Sequence, residues 1–266
     1  MKKVALVLGS GGARGLCFIG VLKALSKNGI PVSHVVGTSM GALLGASFCA
    51  GVSCSELEEF GGQLRKRDFV RPRLGRVGLL SNQGFHDVAK RLIRMECFED
   101  LKIPLTVICT DLDNGQPAAF SSGPLLNPVV GSCLAAGFFD PVLHEEKYLV
   151  DGGYTEPVPI SYAPIDYVVI AIDAMVRPDW PIGHDRIRRQ WMLFNGKLLY
   201  LQILKSFDCV LYRLSEEKLR GMQGIHIVPA LGQMKFMDFG SGAAAIRAGE
   251  AAVLGMLPEI EKAIQG

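Results

Sequence analysis

Residues Val35 to Gly45 read VVGTSMGALLG, and at their centre Gly37-Thr38-Ser39-Met40-Gly41 has the spacing G-x-S-x-G. The apolar run before it has strand character, and the small-residue segment after it has helix character. A sharp strand-to-helix turn of this kind holds its serine in a strained conformation with the hydroxyl presented at the strand end, so the flanking residues must lack bulk. Ser39 is therefore a candidate nucleophile, and Gly37 and Gly41 are the candidate elbow residues. The N-terminus of the following helix favours negative charge nearby. A serine N-cap with incidental glycines would carry the same five letters.

A serine hydroxyl needs a base. The familiar one is a histidine oriented by an acid. The chain has five histidines, His34, His86, His144, His184 and His226. Only His184 and His226 follow a plausible acid in the order Ser, Asp, His, and neither has a distinctive setting. Asp151, in KYLVDGGYTEPVP, is the better candidate. It ends a short apolar run, and Gly152 and Gly153 follow it. A carboxylate at a strand end can take a serine proton directly when desolvation raises its pKa. The competing reading is an Asp-Gly turn in a hairpin.

The developing negative oxygen of an acyl transfer also needs donors. LVLGSGGARGL, with Gly9, Gly11, Gly12 and Gly15, follows the first apolar run and leads into a helical pattern. A glycine loop at a helix N-terminus offers unpaired N–H groups. As a dinucleotide fingerprint it fails, because the spacing is G-x-G-x-x-x-G and no acidic residue occurs before Glu56 to hold a ribose. As a phosphate loop it lacks the Gly-Lys-Ser/Thr that should follow. An oxyanion hole, which requires only backbone donors, and a plain tight turn both fit.

These pieces need a scaffold that brings three loops to one edge. Short apolar runs alternate with helix-length segments along all 266 residues. The spacing predicts strands at Lys3–Leu8, His34–Thr38, Leu105–Asp111, Pro117–Ser121, Tyr148–Val150, Tyr167–Asp173 and Ile225–Pro229. It predicts helices at Ala13–Lys27, Met40–Ala50, Cys54–Lys66, His86–Arg94, Leu126–Ala136, His184–Met222 and Gly242–Ala263. The His184 helix is expected to break near Gly196 and again near Ser206. Near-continuous runs such as YVVIAID suit strands buried on both faces of a mostly parallel sheet. The alternation argues for three α/β/α layers. Loops after neighbouring parallel strands would then share the carboxyl edge.

Composition narrows the class. Hydrophobic residues make up 49% of the chain, enough for a sizeable core, and the net charge of +2 gives no support for a nucleic-acid binder. The cysteines are odd in number at seven and lie mostly in apolar runs, which fits free thiols in a reducing cytosol. The spacing of zinc ligands is absent. The N-terminal MKKVALVLGSGG begins like a signal peptide, but glycines interrupt its apolar stretch at once, so a first strand is expected. No run of about 18 apolar residues suggests a spanning helix.

In this order, GSGGARG, GTSMG and DGG resemble the three motifs of the patatin-like phospholipase family. VICTDLDNGQPAAFSSG, LAAGFFDPV and GGYTEPVPI resemble its connecting segments, so the likeness runs from about Lys3 to Ile172 and is closest to compact bacterial members. The resemblance implies a three-layer α/β/α patatin-like fold with a mostly parallel central sheet, as a single acyl hydrolase domain over residues 1–266 with a variable helical C-terminal part from about 178. It implies a Ser39–Asp151 dyad, an oxyanion hole from the N–H groups of Gly11, Gly12 and Ala13, and an Arg14 that anchors the loop or helps with charge. The implied reaction is hydrolysis of lipid acyl esters, phospholipids or lysophospholipids, through an acyl-serine, with no metal or cofactor. A cytoplasmic enzyme with transient contact at a membrane surface is expected. The alternatives are a soluble carboxylesterase or thioesterase with the same dyad, and a non-catalytic lipid-binding module. Two departures, Ala136 where many relatives have proline and Glu156 where asparagine is frequent, are expected to alter pocket shape. Two further segments stay open. RKRDFVRPRLGRVGLL, Arg65 to Leu80, reads as an interfacial loop for anionic headgroups or as a solvated loop. WMLFNGKLLYLQILKSF, Trp191 to Phe207, reads as an acyl-pocket wall, a cover, a subunit contact or a core helix.

Overall fold

The computed structural model describes residues 1–72, 80–179 and 196–265. Ten strands are present among them: β1 (Val4–Leu8), β2 (Val32–Thr38), β3 (Arg71–Pro72), β4 (Leu80–Ser81), β5 (Leu105–Asp111), β6 (Pro117–Phe120), β7 (Val142–His144), β8 (Lys147–Asp151), β9 (Val168–Ile172) and β10 (Ile225–Ile227). The helices are α1 (Cys17–Lys27), α2 (Met40–Cys49), α3 (Cys54–Gln63), α4 (Lys66–Phe69), α5 (Gln83–Leu92), α6 (Leu126–Gly131), α7 (Gly196–Leu219) and α8 (Gly242–Gln265), with 3-10 turns at Gly12–Leu16 and Gly152–Tyr154.

The main sheet runs β10-β9-β1-β2-β5-β8-β7, with β6 also on β5. From β10 to β5 every pairing is parallel. β6, β8 and β7 are joined to it antiparallel. The parallel strands are the near-continuous apolar runs of the sequence. β1, VALVL, is buried at every position, as a central strand covered on both faces must be.

The two covered faces are unequal. On one, α1, α2 and α8 pack over Leu6, Leu8, Val35 and Val107 in the larger core. α2, MGALLGASFC, is apolar all round and buried, so its side chains need no polar face. On the other face, Val7, Val36, Ile108 and Ala171 meet Val158 and the partly buried Ile160, Tyr162, Leu219 and Met222. The thinner layer is thus built from the chain after Asp151 and the end of α7.

One detail of the sheet positions the site. β2 pairs with Leu105–Ile108 of β5, β8 pairs with Cys109–Asp111, and β6 overlaps both stretches. A strand has only two edges, so β2 and β8 lie on the same edge of β5, opposite β6. They run toward each other, Thr38 opposite Ile108 and Asp151 opposite Cys109. Their carboxyl ends therefore meet head to head.

The structure corrects several expectations. The Asp151-Gly152 pair is not a hairpin turn, because it leads from β8 into a 3-10 turn. The hairpin lies upstream between β7 and β8, closed by Glu145 and Glu146, both at positive φ. β7 is only three residues long and was not predicted, having no alternation to read. The helix expected at Ala13 opens as a 3-10 turn. α7 runs unbroken through Ser206. His184, Trp191 and the central part of the Arg65–Leu80 segment lie outside the described residues. All seven cysteines are free, with Cys17, Cys49, Cys109 and Cys133 buried. Among the described residues no helix is long and apolar enough to cross a membrane.

Candidate active site

Ser39 sits between the last residue of β2 and the first of α2, at φ 58 and ψ −124. A non-glycine residue there is strained, and the surroundings must hold it. Gly41 makes the turn possible: a Cβ on it would stand 2.1 Å from the Leu8 carbonyl of β1. Ser132, buried, supplies a second restraint. Its Oγ accepts from the Ser39 N–H (2.8 Å) and donates to the Ile108 carbonyl (2.6 Å). The Cys133 thiol donates to the Ser39 carbonyl at 3.1 Å. Neither Ser132 nor Cys133 was singled out from sequence, since the segment GSCLAAG carries no signal beyond its small residues.

The head-to-head strands bring Asp151 to this serine. Ser39 Oγ donates to Asp151 Oδ2 at 2.7 Å. Oδ1 accepts from the Gly153 N–H at 2.7 Å, with Ser10 Oγ at a longer 3.4 Å. Ser39 is 4% exposed and Asp151 1%. Burial pushes the Asp151 carboxyl up to about 6, opposed by the bonds from Gly153, Ser39 and Ser10, which favour the charged form. A carboxylate that titrates near neutral pH is a usable base; one left at its ordinary acidity would be a poor proton acceptor.

No described histidine is hydrogen-bonded to Ser39 or Asp151. His34 shares a bond with Thr106, His226 lies on the outermost strand β10, and His144 packs against Phe120. His184 lies outside the described residues.

The glycine loop follows β1, next to β2. Its amides can be accounted for one by one. Gly9 donates to Ile172, Ser10 to Pro157, Ala13 to Phe236 and Arg14 to Gly11. Among the described residues, nothing accepts from the Gly11 and Gly12 N–H groups. Gly12, at φ +55, lies against the Phe236 carbonyl, where a Cβ would come within 2.4 Å. Ala13 was expected to be a third donor, but its N–H is held by the Phe236 carbonyl at 2.7 Å.

Among the described residues Arg14 makes no hydrogen bond to the serine. It is 1% exposed, and its guanidinium is bidentate on Asp208 of α7, Nη2 to Oδ1 at 2.5 Å and Nη1 to Oδ2 at 3.3 Å. Its Nε donates to the Gly11 carbonyl at 3.3 Å. Of the two roles offered for Arg14, anchoring the loop is the one this geometry suits. Asp208 is a partner that sequence reasoning missed.

An apolar cavity of about 240 Å³ opens on Ser39 and Gly12. Its walls include Phe69, Phe85, Phe138, Phe139, Leu204 and Phe236. Phe69 and Phe85 have ring centroids 4.6 Å apart, and Phe85 meets Phe139 edge-on at 5.0 Å. Lys66 and Val70, from the basic segment, and Leu204, from the apolar one, also line it. Both segments therefore contribute to the pocket. Ala136 and Glu156, expected to shape it, are not among the described lining residues; Glu156 instead pairs with Lys218 of α7. A serine hydroxyl beside a buried carboxylate, two amides with no acceptor among the described residues and an apolar aromatic cavity form an arrangement that can perform acyl transfer.

The family described as Patatin-like phospholipase matches residues 6–164. An uncharacterized NTE family protein of Mycobacterium tuberculosis is 35% identical over 162 residues, covering 60% of this chain and 45% of its own. Patatin-like phospholipase domain-containing protein 7 of Rattus norvegicus is 30% identical over 209 residues, covering 72% of this chain and 15% of its own. The chain thus spans less than half the length of these curated relatives. The crystal structure of VipD from Legionella pneumophila has a similar fold, with a TM-score of 0.56 at 13% identity, covering 97% of this chain and 67% of that one.

Proposed function

Because this chain belongs to the patatin-like phospholipase family, we propose that it is a lipolytic serine acyl hydrolase that works through a Ser39–Asp151 dyad. Ser39 Oγ attacks the acyl carbonyl while Asp151 takes its proton. The carbonyl oxygen becomes an oxyanion, bound by the Gly11 and Gly12 N–H groups. Asp151 returns the proton to the departing alcohol, which leaves an acyl-Ser39. Water then attacks with Asp151 again as base, and the fatty acid is released. The single observation that carries the reading is the 2.7 Å bond from Ser39 Oγ to a buried Asp151.

The aromatic cavity supports a long acyl chain as the recognised part of the substrate, because apolar walls gain little from a short polar one. The substrate class is therefore phospholipid or lysophospholipid ester, and the enzyme meets it transiently at a membrane surface. No cofactor takes part. Residues 1–266 are read as one such domain.

A panel of phospholipid, lysophospholipid, triacylglycerol and acyl-thioester, assayed with wild-type protein, tests the proposal. Hydrolysis of the phospholipid or lysophospholipid, rising with acyl length and absent in Ser39→Ala, is expected. Turnover of short water-soluble esters alone would replace it with the carboxylesterase reading.

A further inference from the structure

The face of α7 turned to the sheet carries a polar stripe. Asp208, Leu211, Ser215 and Lys218 are spaced three, four and three residues apart, which places them on one side of a helix. Leu211 is fully buried among them. Each polar member reaches a loop at a different strand end. Asp208 holds Arg14, after β1. Ser215 Oγ donates to Asp173 Oδ2, after β9, at 2.7 Å. Lys218 Nζ donates to Glu156, in the loop that follows Asp151. The Glu156 carbonyl in turn accepts from Thr38 Oγ1 at 2.9 Å, beside the nucleophile.

We propose that Asp208 is a positioning residue for the oxyanion hole, acting through Arg14 on the peptide that joins Gly11 to Gly12. Its kinetic consequence rests on the acyl-hydrolase reading given above. The Gly11 carbonyl accepts from both the Arg14 N–H (3.1 Å) and Arg14 Nε (3.3 Å). A trans peptide is planar, so its N–H points opposite to its carbonyl. Fixing the Gly11 carbonyl toward Arg14 therefore fixes the Gly12 N–H in the other direction, and Gly12 borders the cavity together with Ser39. Asp208 closes the chain of contacts. Its two oxygens fix both the position and the plane of the guanidinium, as a bidentate pair does and a single contact cannot. The contrasting role is charge cancellation alone, in which any arrangement that removes the buried cation would serve equally well.

The test compares Asp208→Asn with the double variant Arg14→Met/Asp208→Leu, which removes both charges and leaves no buried ion unpaired. Steady-state kinetics, melting temperature and amide hydrogen exchange by mass spectrometry are read on each. In Asp208→Asn, kcat is expected to fall about thirtyfold with KM within about twofold, as for a donor lost from the transition state. Peptides covering residues 9–16 should exchange about tenfold faster, while β5 stays protected. The double variant should recover the melting temperature but neither kcat nor loop protection. Recovery of all three would reduce the pair to charge cancellation and overturn the proposal. So would an Asp208→Asn protein with wild-type exchange over residues 9–16. Should wild-type protein hydrolyse no ester, the hydrolase reading falls, and the exchange data still decide whether Asp208 holds the loop.

Discussion

The stretch from β1 to Asp151 and the stretch from α7 onward build the same site in opposite ways. The first holds the groups proposed to react: Ser39, Asp151 and the amides of Gly11 and Gly12, for which no acceptor occurs among the described residues. The second supplies no reacting atom in that proposal, yet among its described residues Asp208 and Phe236 hold the glycine loop, and Lys218 holds the loop after Asp151. The first is built where backbone sterics leave almost no choice of residue. The second uses ordinary side chains whose value lies in where the helix puts them. The family match ends at residue 164, so it covers the groups proposed to react and stops short of Asp208, Lys218 and Phe236.

The contrast can be broken or sharpened by mutation. Removing a reacting group should cost rate without stability, and removing a support should cost stability first. Ser39→Ala is the extreme case: kcat should fall by about 10⁴-fold or more with the melting temperature held. Asp151→Asn should lose about 10³-fold in kcat, since the base is gone while the oxyanion donors remain.

Asp151→Asn should also stabilise the fold. The carboxyl titrates at about 6 when folded against an ordinary 3.8, so between those values the native state binds the extra proton. Acidification through that window favours the native state, and this contribution is lost as the pH rises past about 6. At pH 8 the neutral asparagine removes the cost of a buried charge, a gain of roughly 3 kcal/mol or about 5 °C in melting temperature. A fall in melting temperature would mean that the ionised carboxylate is fully compensated by its hydrogen bonds.

A third expectation concerns pH and rate. Below about 6 the protonated Asp151 cannot take the proton of Ser39. The kcat/KM profile should therefore fall about tenfold per pH unit on its acidic limb. A limb displaced to about 4 would show an unperturbed carboxylate and weaken the case for direct proton transfer.

Ser132→Ala probes the join between the two regions. It would leave the Ser39 N–H and the Ile108 carbonyl without their shared partner. A stability loss of about 2 kcal/mol and a kcat loss of about tenfold are expected. Lys218→Met should have the smallest effect on rate, within about twofold, while costing roughly 1 kcal/mol for the pairing lost at Glu156. A large kcat loss in that variant would erase the distinction between reacting and supporting halves.

How much of this was legible follows from the same contrast. GTSMG was readable because no side chain fits between Gly41 and the Leu8 carbonyl, so the letter itself records the geometry. The central strands were readable because burial on both faces demands continuous apolar runs. Asp151 stood out through its position at a strand end before two glycines, although sequence alone left a hairpin open. The Glu145-Glu146 turn was hidden, because positive φ there is taken up by residues that do not advertise it. Asp208 was hidden for another reason: it is one of 26 acidic residues, and only tertiary packing distinguishes it from a solvated helix carboxylate. The Ala13 amide looked available because its partner, the Phe236 carbonyl, comes from more than 200 residues away in the chain.

The most direct test of the account is peptide mapping after reaction with a fluorophosphonate probe at pH 8. One equivalent should be found on the peptide carrying Ser39, labelling should vanish in Ser39→Ala, and it should slow by about two orders of magnitude in Asp151→Asn. A Ser39→Ala protein that still takes up one equivalent on another residue would contradict the assignment of Ser39 as nucleophile, and with it the dyad.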